Sequence, residues 1–274
     1  MTVPEIIQKL ISDRKLDLNP PHPSQITWSD LNIEAAAVNT AIKLIRSHID
    51  SGHKIAIYGD YDVDGICSTA ILWQTIYSYY PHVFPHIPDR RKEGYGLSKE
   101  GIDHCISQGA KLVITVDSGI VAIDQIAYAR SLGLDVVVVD HHEVGDKLPD
   151  ANCIIHSLST SAAGLSYFFS REITQKLSPS LEMRRGARGE VVKEQVNYLD
   201  LTALAVICDL VPLTGINRSI AKYGLEELNI TSRPGLLALY EIAGIKQVTA
   251  YHAGFIIGPR LNATGRLTHA MDSL

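Results

Sequence analysis

The sequence predicts an α/β fold: a parallel sheet of about five strands flanked by helices, followed by a C-terminal all-helical portion. Three observations lead there. Short apolar runs alternate with segments of helical length between residues 54 and 157, the mark of βαβ units. These runs are continuously apolar rather than alternating, as expected of strands covered by helices on both faces. Strand signals stop after Ser161, and only helical patterns follow. The 274 residues, 46% hydrophobic and 20% charged, have ordinary globular composition and enough chain for a sizeable core.

The elements follow in order. VPEIIQKLI has helical spacing, and Pro20, Pro21 and Pro23 then forbid its continuation. Residues 1–31 are therefore read as an N-terminal helix and a Pro-rich lead-in. Asn32 to Ile49 is helical, with apolar Ile33, Ala37, Ala41, Leu44 and Ile45 on one stripe. KIAIYG (54–59) is the first strand, and GICSTAILWQTIYSYY (65–80) has helix length. VFPHI (83–87) is a strand that Pro85 assigns to a sheet edge. In 97–109, Ser98 is the cap and Gly109 the stop of a helix. KLVITV (111–116) is a strand, AIDQIAYARSLG (122–133) a helix, LDVVVVD (134–140) the most β-rich segment, and NCIIHS (152–157) a last short strand. SAAGLSYFFSREITQKL (161–177) is a helix that closes an α/β core spanning 32–177. Residues 178–190, with three arginines and two glycines, read as a loop. VVKEQVNYLDLTALAVI (191–207), SIAKYGLEELN (219–229) and RPGLLALYEIAG (233–244) make 191–274 a helical part that ends in GPRLNATGRL.

The formal charge of −5 argues against a protein that coats nucleic acid by bulk charge, while leaving room for a local basic groove. No apolar run approaches the roughly 18–20 residues of a membrane span. The N-terminus lacks the layout of a signal peptide. Cys67, Cys105, Cys153 and Cys208 are far apart and lie among apolar residues, so they read as reduced thiols. The expectation is a cytoplasmic protein with no membrane partner.

Three apolar strands end in acidic or histidine residues. KIAIYG leads into Asp60, Asp62 and Asp64; KLVITV leads into Asp117; LDVVVV leads into Asp140, His141 and His142. Ligands of open parallel sheets bind outside the carboxyl ends of the strands, so the three clusters are expected to converge. Five Asp and two His in one crevice repel unless cations neutralise them. Oxygen and imidazole ligands suit Mn²⁺, Mg²⁺ or Zn²⁺, and the absence of Cys ligands points away from a structural zinc site. So many ligands suggest two metals roughly 3.5–4 Å apart, as in hydrolytic phosphoryl transfer. Each piece also has a bland reading. A lone Asp after a strand is most often a cap, and on that reading Asp140 serves only to cap or orient its neighbours. An EF-hand is excluded, because the twelfth position counted from Asp60 is Ile71 rather than Glu. Gly258 to Arg266 places two arginines and an Asn in a Gly-rich stretch, either an anion cradle or a solvated turn. Pro88 to Leu97 joins basic residues to Tyr95, either a nucleic-acid contact or an ordinary exposed loop.

The ordered set GDYDVDG, VDSGI, VDHH and AVICDLVPL resembles the DHH phosphoesterase superfamily. PDRRKEGYGLS, LTGINR and IGPRLNATGRL are similar to its RecJ branch, single-strand-specific 5′→3′ DNA exonucleases, from about Ile33 to the last residue. The resemblance implies a DHH-type sheet domain and two divalent ions, Mn²⁺ or Mg²⁺. It implies Asp60, Asp62, Asp64, Asp117, His141 and Asp209 as metal ligands, with Asp117 bridging. His142 would contact the scissile phosphate or complete the site, and Arg90, Arg260, Asn262 and Arg266 would contact the substrate phosphates. Asp117, His141 and His142 would be the catalytic set. The implied substrate is single-stranded nucleic acid, taken as DNA, and replication or repair proteins are implied partners. Tyr58 stands where the pyrophosphatase branch has a His ligand, which counts against that activity. After VDHH, the segment IIHSLSTSAAG (154–164) departs from bacterial RecJ in carrying His156 and no Pro. By the same resemblance the chain corresponds to the N-terminal catalytic core, without the DHH-associated and OB-type domains, and weak strand affinity is expected. Two alternatives remain: an oligoribonuclease or cyclic-dinucleotide phosphodiesterase with the same metal site, and a scaffold that has lost turnover. Retention of every carboxylate argues against the scaffold.

Overall fold

The computed structural model describes residues 3–14, 17–91, 93–177 and 197–274. A five-stranded, all-parallel sheet forms the centre, in the order β2-β1-β3-β4-β5. The strands are β1 (Lys54–Tyr58), β2 (Val83–His86), β3 (Ala110–Val116), β4 (Asp135–Asp140) and β5 (Cys153–His156). Pro85, which has no N–H for a ladder, lies as expected in an edge strand. The three strands that run into acidic residues, β1, β3 and β4, are immediate neighbours. Register aligns their carboxyl ends: Tyr58 pairs with Thr115, and Val116 with Val139.

Nine of the helices that surround or follow the sheet are α2 (Ala35–Asp50), α3 (Val63–Tyr77), α4 (Lys99–Ser107), α5 (Ile123–Ser131), α6 (Ala162–Leu177), α7 (Leu199–Cys208), α8 (Gly215–Ile230), α9 (Pro234–Ala243) and α10 (Gly258–Leu267). An N-terminal helix, α1 (Val3–Asp13), buries no residue. The sheet separates two cores. Ile55, Ile57, Leu112, Ile114, Val116, Val137 and Val139 face α2, α3, α6 and α7, while Ala56, Tyr58, Val113, Val136 and Val138 face α4 and α5. Both alternating sets are apolar, which is why the strands read as unbroken runs. The loop read at 178–190 and the first residues of the helix read at 191–207 lie outside the described residues.

The segment from Gly258 differs from a Gly-rich loop. It is helical (α10), after a wider π-helical stretch at His252–Ile257. Pro259 falls at the junction of the two, where the wider π-helical turn accommodates its missing N–H. Its glycines serve packing: a Cβ at Gly258 would lie 2.5 Å from Cys208 Sγ, and one at Gly265 3.2 Å from the Tyr61 carbonyl oxygen.

Gly65, in the first turn of α3, shows how tightly the carboxyl end of β1 is packed. A Cβ there would sit 2.5 Å from the Asp60 carbonyl oxygen and 2.7 Å from its Cα. Backbone cannot yield as a side-chain tip can. Gly65→Ala is therefore expected to lower stability by about 1–3 kcal/mol or more in urea unfolding. The matched control Gly235→Ala, where nothing lies within 4 Å, should be neutral or stabilising by about 0.5–1 kcal/mol. Equal unfolding midpoints for the two variants would refute this packing account.

Candidate metal centre

Each acidic residue is held by a different local device. Asp60 follows β1 directly and is fully buried. Asp62 is the N-cap of α3, accepting from Gly65 N at 2.9 Å. Asp64 lies in the first turn of α3, and its carboxylate accepts from Ala162 N at 2.7 Å and Ala163 N at 2.9 Å. It thereby caps the free N–H groups of α6 from a distant part of the chain. Asp117 follows β3 with φ of 58°, a left-handed conformation that costs a non-glycine residue about 1–3 kcal/mol. Asp209 occupies the C-cap position of α7, its N–H bonded to Ala205 O at 2.8 Å.

Asp140 is the organiser of the third strand end. It accepts from His141 N (2.7 Å), His142 N (3.2 Å), Ile120 N (2.9 Å) and His142 Nδ1 (2.8 Å). Burial pushes its carboxyl up, but the His142 ring and these N–H groups outweigh that and hold it below the usual range. An ionised Asp140 places the proton on His142 Nδ1. The other ring nitrogen lies 3.0 Å from the Tyr95 hydroxyl. The Asp140 hydrogen bond raises the His142 pKa, against burial. The next shell includes His156, whose Nε2 is 2.7 Å from His142 O.

These devices bring all seven expected metal-site and catalytic residues together. His141 Nε2 lies 3.2 Å from Asp117 Oδ1, 3.5 Å from Asp64 Oδ2 and 3.7 Å from Asp209 Oδ2. Potential ligand atoms converge within 4.8 Å in three overlapping sets: Asp117, His141 and His142; Asp64, His141 and Asp209; Asp60, Asp62 and Asp117. Burial, and then the neighbouring carboxylates, push Asp60 up to about 7, Asp64 to about 8 and Asp209 to about 6. Asp117 moves well above its ordinary value for the same reasons. Burial, and then His142, lowers His141 to about 4, so it is a neutral imidazole with a lone pair to offer.

The donor set fits divalent cations. Both carboxylate oxygens of Asp60 and Oδ2 of Asp209 are buried with no hydrogen-bond partner. Acids in that condition need either a proton or a cation. Oxygen ligands with one or two imidazoles suit Mn²⁺ and Mg²⁺.

The expected phosphate-binding residues divide. The Arg90 guanidinium lies 5.0 Å over the Tyr61 ring, within the Asp60–Asp64 segment. Tyr61 meets Tyr95 edge to face at 6.1 Å. Arg266, beside the Gly265 that packs on Tyr61, is exposed near the same ring. Arg260 bonds within its own helical segment, to Ile256 O at 2.7 Å. Asn262 keeps a buried Oδ1 without a partner. Sequence reasoning misses the Tyr95–His142 contact and the Asp64–α6 cap. The one signal for either is Tyr95 itself, an aromatic among basic residues.

Fold and site define the class: a doubly wound parallel sheet with a carboxylate–histidine cluster at its topological switch point. The chain belongs to the DHH family, whose N-terminal domain matches residues 54–206, from β1 into α7. It is 39% identical over 239 residues to the single-stranded-DNA-specific exonuclease RecJ of Bacillus subtilis (strain 168), covering 86% of this chain and 29% of that protein. The Escherichia coli (strain K12) protein of the same name is 32% identical, covering 97% of this chain and 48% of its own length. The chain thus spans less than half of these curated relatives. A crystal structure of exonuclease RecJ bound to manganese superposes with a TM-score of 0.73 at 29% identity, over 86% of this chain and 59% of that one. RecJ from Thermus thermophilus in complex with Mn²⁺ gives 0.69 at 27% identity, over 86% and 34%.

The raised carboxylates carry a signed consequence. Asp60 is protonated in both folded and unfolded chains below about pH 4. As pH rises through its folded value of about 7, the folded state must ionise a buried acid, and that stability is lost. Metal-free protein is therefore expected to melt lower at pH 8 than at pH 6, with Asp60→Asn flattening this decline. Added Mn²⁺ should raise the melting temperature more at pH 8 than at pH 6, and less in the variant. A metal-free melting temperature that climbs from pH 6 to pH 8 would contradict this assignment.

Proposed function

We propose that the chain is the catalytic core of a metal-dependent phosphodiesterase that hydrolyses single-stranded DNA from the 5′ end. The observation that carries the reading is the Asp60 carboxylate, buried without a partner beside Asp62 and Asp117. Similarity to RecJ exonucleases directs the substrate toward single-stranded DNA, and the 5′ polarity is what the motif resemblance implies. Asp60, Asp62, Asp64, Asp117, His141 and Asp209 would hold two divalent ions, Mn²⁺ or Mg²⁺, Asp117 being common to two of the three ligand sets. Bound there, the ions supply an activated water and Lewis acidity toward the phosphate.

The side chains do the rest. Asp140 and Tyr95 clamp both nitrogens of His142, so the ring holds one orientation. Its raised pKa favours the cationic form, whose Nε2–H would exchange the Tyr95 hydroxyl for a nonbridging phosphate oxygen as charge builds in the transition state. Arg90 and Arg266 hold the strand backbone, and the Tyr61 and Tyr95 rings offer faces for bases. Replication or repair proteins are the proposed partners. Among the described residues, no helix is long and apolar enough to cross a membrane.

Asp117→Ala should reduce release of nucleotides from 5′-labelled single-stranded DNA in Mn²⁺ by several orders of magnitude. Equal rates for variant and wild type would sink the assignment, and faster turnover of dinucleotides than of long strands would redirect it to an oligonuclease. Arg266→Ala should weaken strand binding and reduce the slope of log K against log salt by about 1, as loss of one phosphate contact requires. Arg260→Ala, whose guanidinium is engaged with Ile256 O, should change both less. Fluorescence anisotropy across a salt series checks this pair.

A further inference from the structure

β2 ends in His86 beside a cavity of about 540 Å³ that shares no lining residue with the candidate metal centre. Three of the chain's 11 histidines line it, each from a different element: His86 from β2, His104 from α4 and His269 from the segment after α10. Glu93 joins them, with Oε2 at 3.4 Å from His86 Nε2. The His86 and His104 rings are 5.0 Å apart. His269 Nδ1 accepts from Met271 N at 3.1 Å, which leaves Nε2 for another partner. Burial holds His86 below the usual histidine range, against the pull of Glu93, so its ring is neutral near pH 7.

We propose that this cluster is a second cation site, which takes one transition-metal ion of the Zn²⁺ class through His86, His104, His269 and Glu93. Three imidazoles and a carboxylate suit such an ion, whereas Mg²⁺ and Ca²⁺ demand oxygen ligands. The site is looser than the Asp117 centre, where ligand atoms already converge within 4.8 Å. His104 is exposed, and an exposed side chain changes rotamer freely to close on an ion. The ion would staple β2 and α4 to the segment directly behind α10, the helix that carries Arg266. That junction is otherwise held by Arg91 Nη2 donating to Thr268 O at 3.3 Å and by Ala270 packing with Ile66 and Ile87. The proposal stands whether or not the chain is a nuclease.

Zn²⁺ titration by calorimetry of an Asp117→Asn/His141→Ala chain, which removes a ligand from each of the three sets at the first centre, tests it. One ion per chain is expected, with side-chain ¹⁵N resonances of His86, His104 and His269 shifting together. His104→Ala/His269→Ala in that background should bind at least about tenfold more weakly with unchanged circular dichroism. No stoichiometric Zn²⁺, affinity unaffected by the histidine changes, or resonance shifts at other histidines alone would each overturn the site. The resonance shifts in the chain with all three histidines keep the test decisive if the histidine variant fails to fold.

Discussion

Like-charged carboxylates held out of water at one edge of a parallel sheet are the constraint around which the rest is arranged. Asp60, Asp64, Asp117 and Asp140 are all buried, and each would be costly alone. The protein treats them differently. Asp140 and Asp64 are satisfied by backbone N–H groups, from the loops after β3 and β4 and from the first turn of α6. Asp60 is left with no partner. Asp140, bonded also to the His142 ring, orients its neighbours; Asp64 is positioned by α6 and still faces His141 at 3.5 Å, and Asp60, without a donor, is the acid most available to a cation.

Topology brings the acids together. The sheet order sends the chain from β1 outward to β2 and then back across to β3, so α3 and α4 fall on opposite faces. The crevice opens where the strand order reverses, and β1, β3 and β4 all end beside it. The helical half is part of the same site. α6 supplies the N–H groups for Asp64, and α7 ends at Asp209, within 3.7 Å of His141. A sheet alone would present an incomplete and more strongly repelling cluster.

Around this centre the rim is aromatic and basic. Tyr61 is contacted by Arg90, by Tyr95 and, through Gly265, by α10. Tyr95 in turn reaches His142. The proposed chemistry and the proposed strand contacts are therefore mechanically linked through two tyrosines. Such a rim reconciles an acidic chain with the proposed polyanionic substrate, because local basic groups rather than net charge would set the approach.

Much was legible in the sequence, and for a local reason. Strand and helix identities follow from hydrophobic period and from caps such as Ser98 and Gly109, all set by near neighbours. That Asp60, Asp117 and Asp140 gather at one edge also follows, because parallel strands all point the same way. Motif resemblance supplied Asp209, which no local pattern marks. The helix at Gly258–Leu267 was hidden by glycines that read as flexible but serve close packing against Cys208 and Tyr61. The sequence by itself determined the fold class and the residue types offered to a cation. Only the tertiary structure decided which acids are satisfied and which are not, because the deciding donors, Ala162, Ala163 and Ile120, come from segments 20 to 99 residues away. Hydrogen bonds over that distance in the chain depend on packing, and no window of sequence contains both partners.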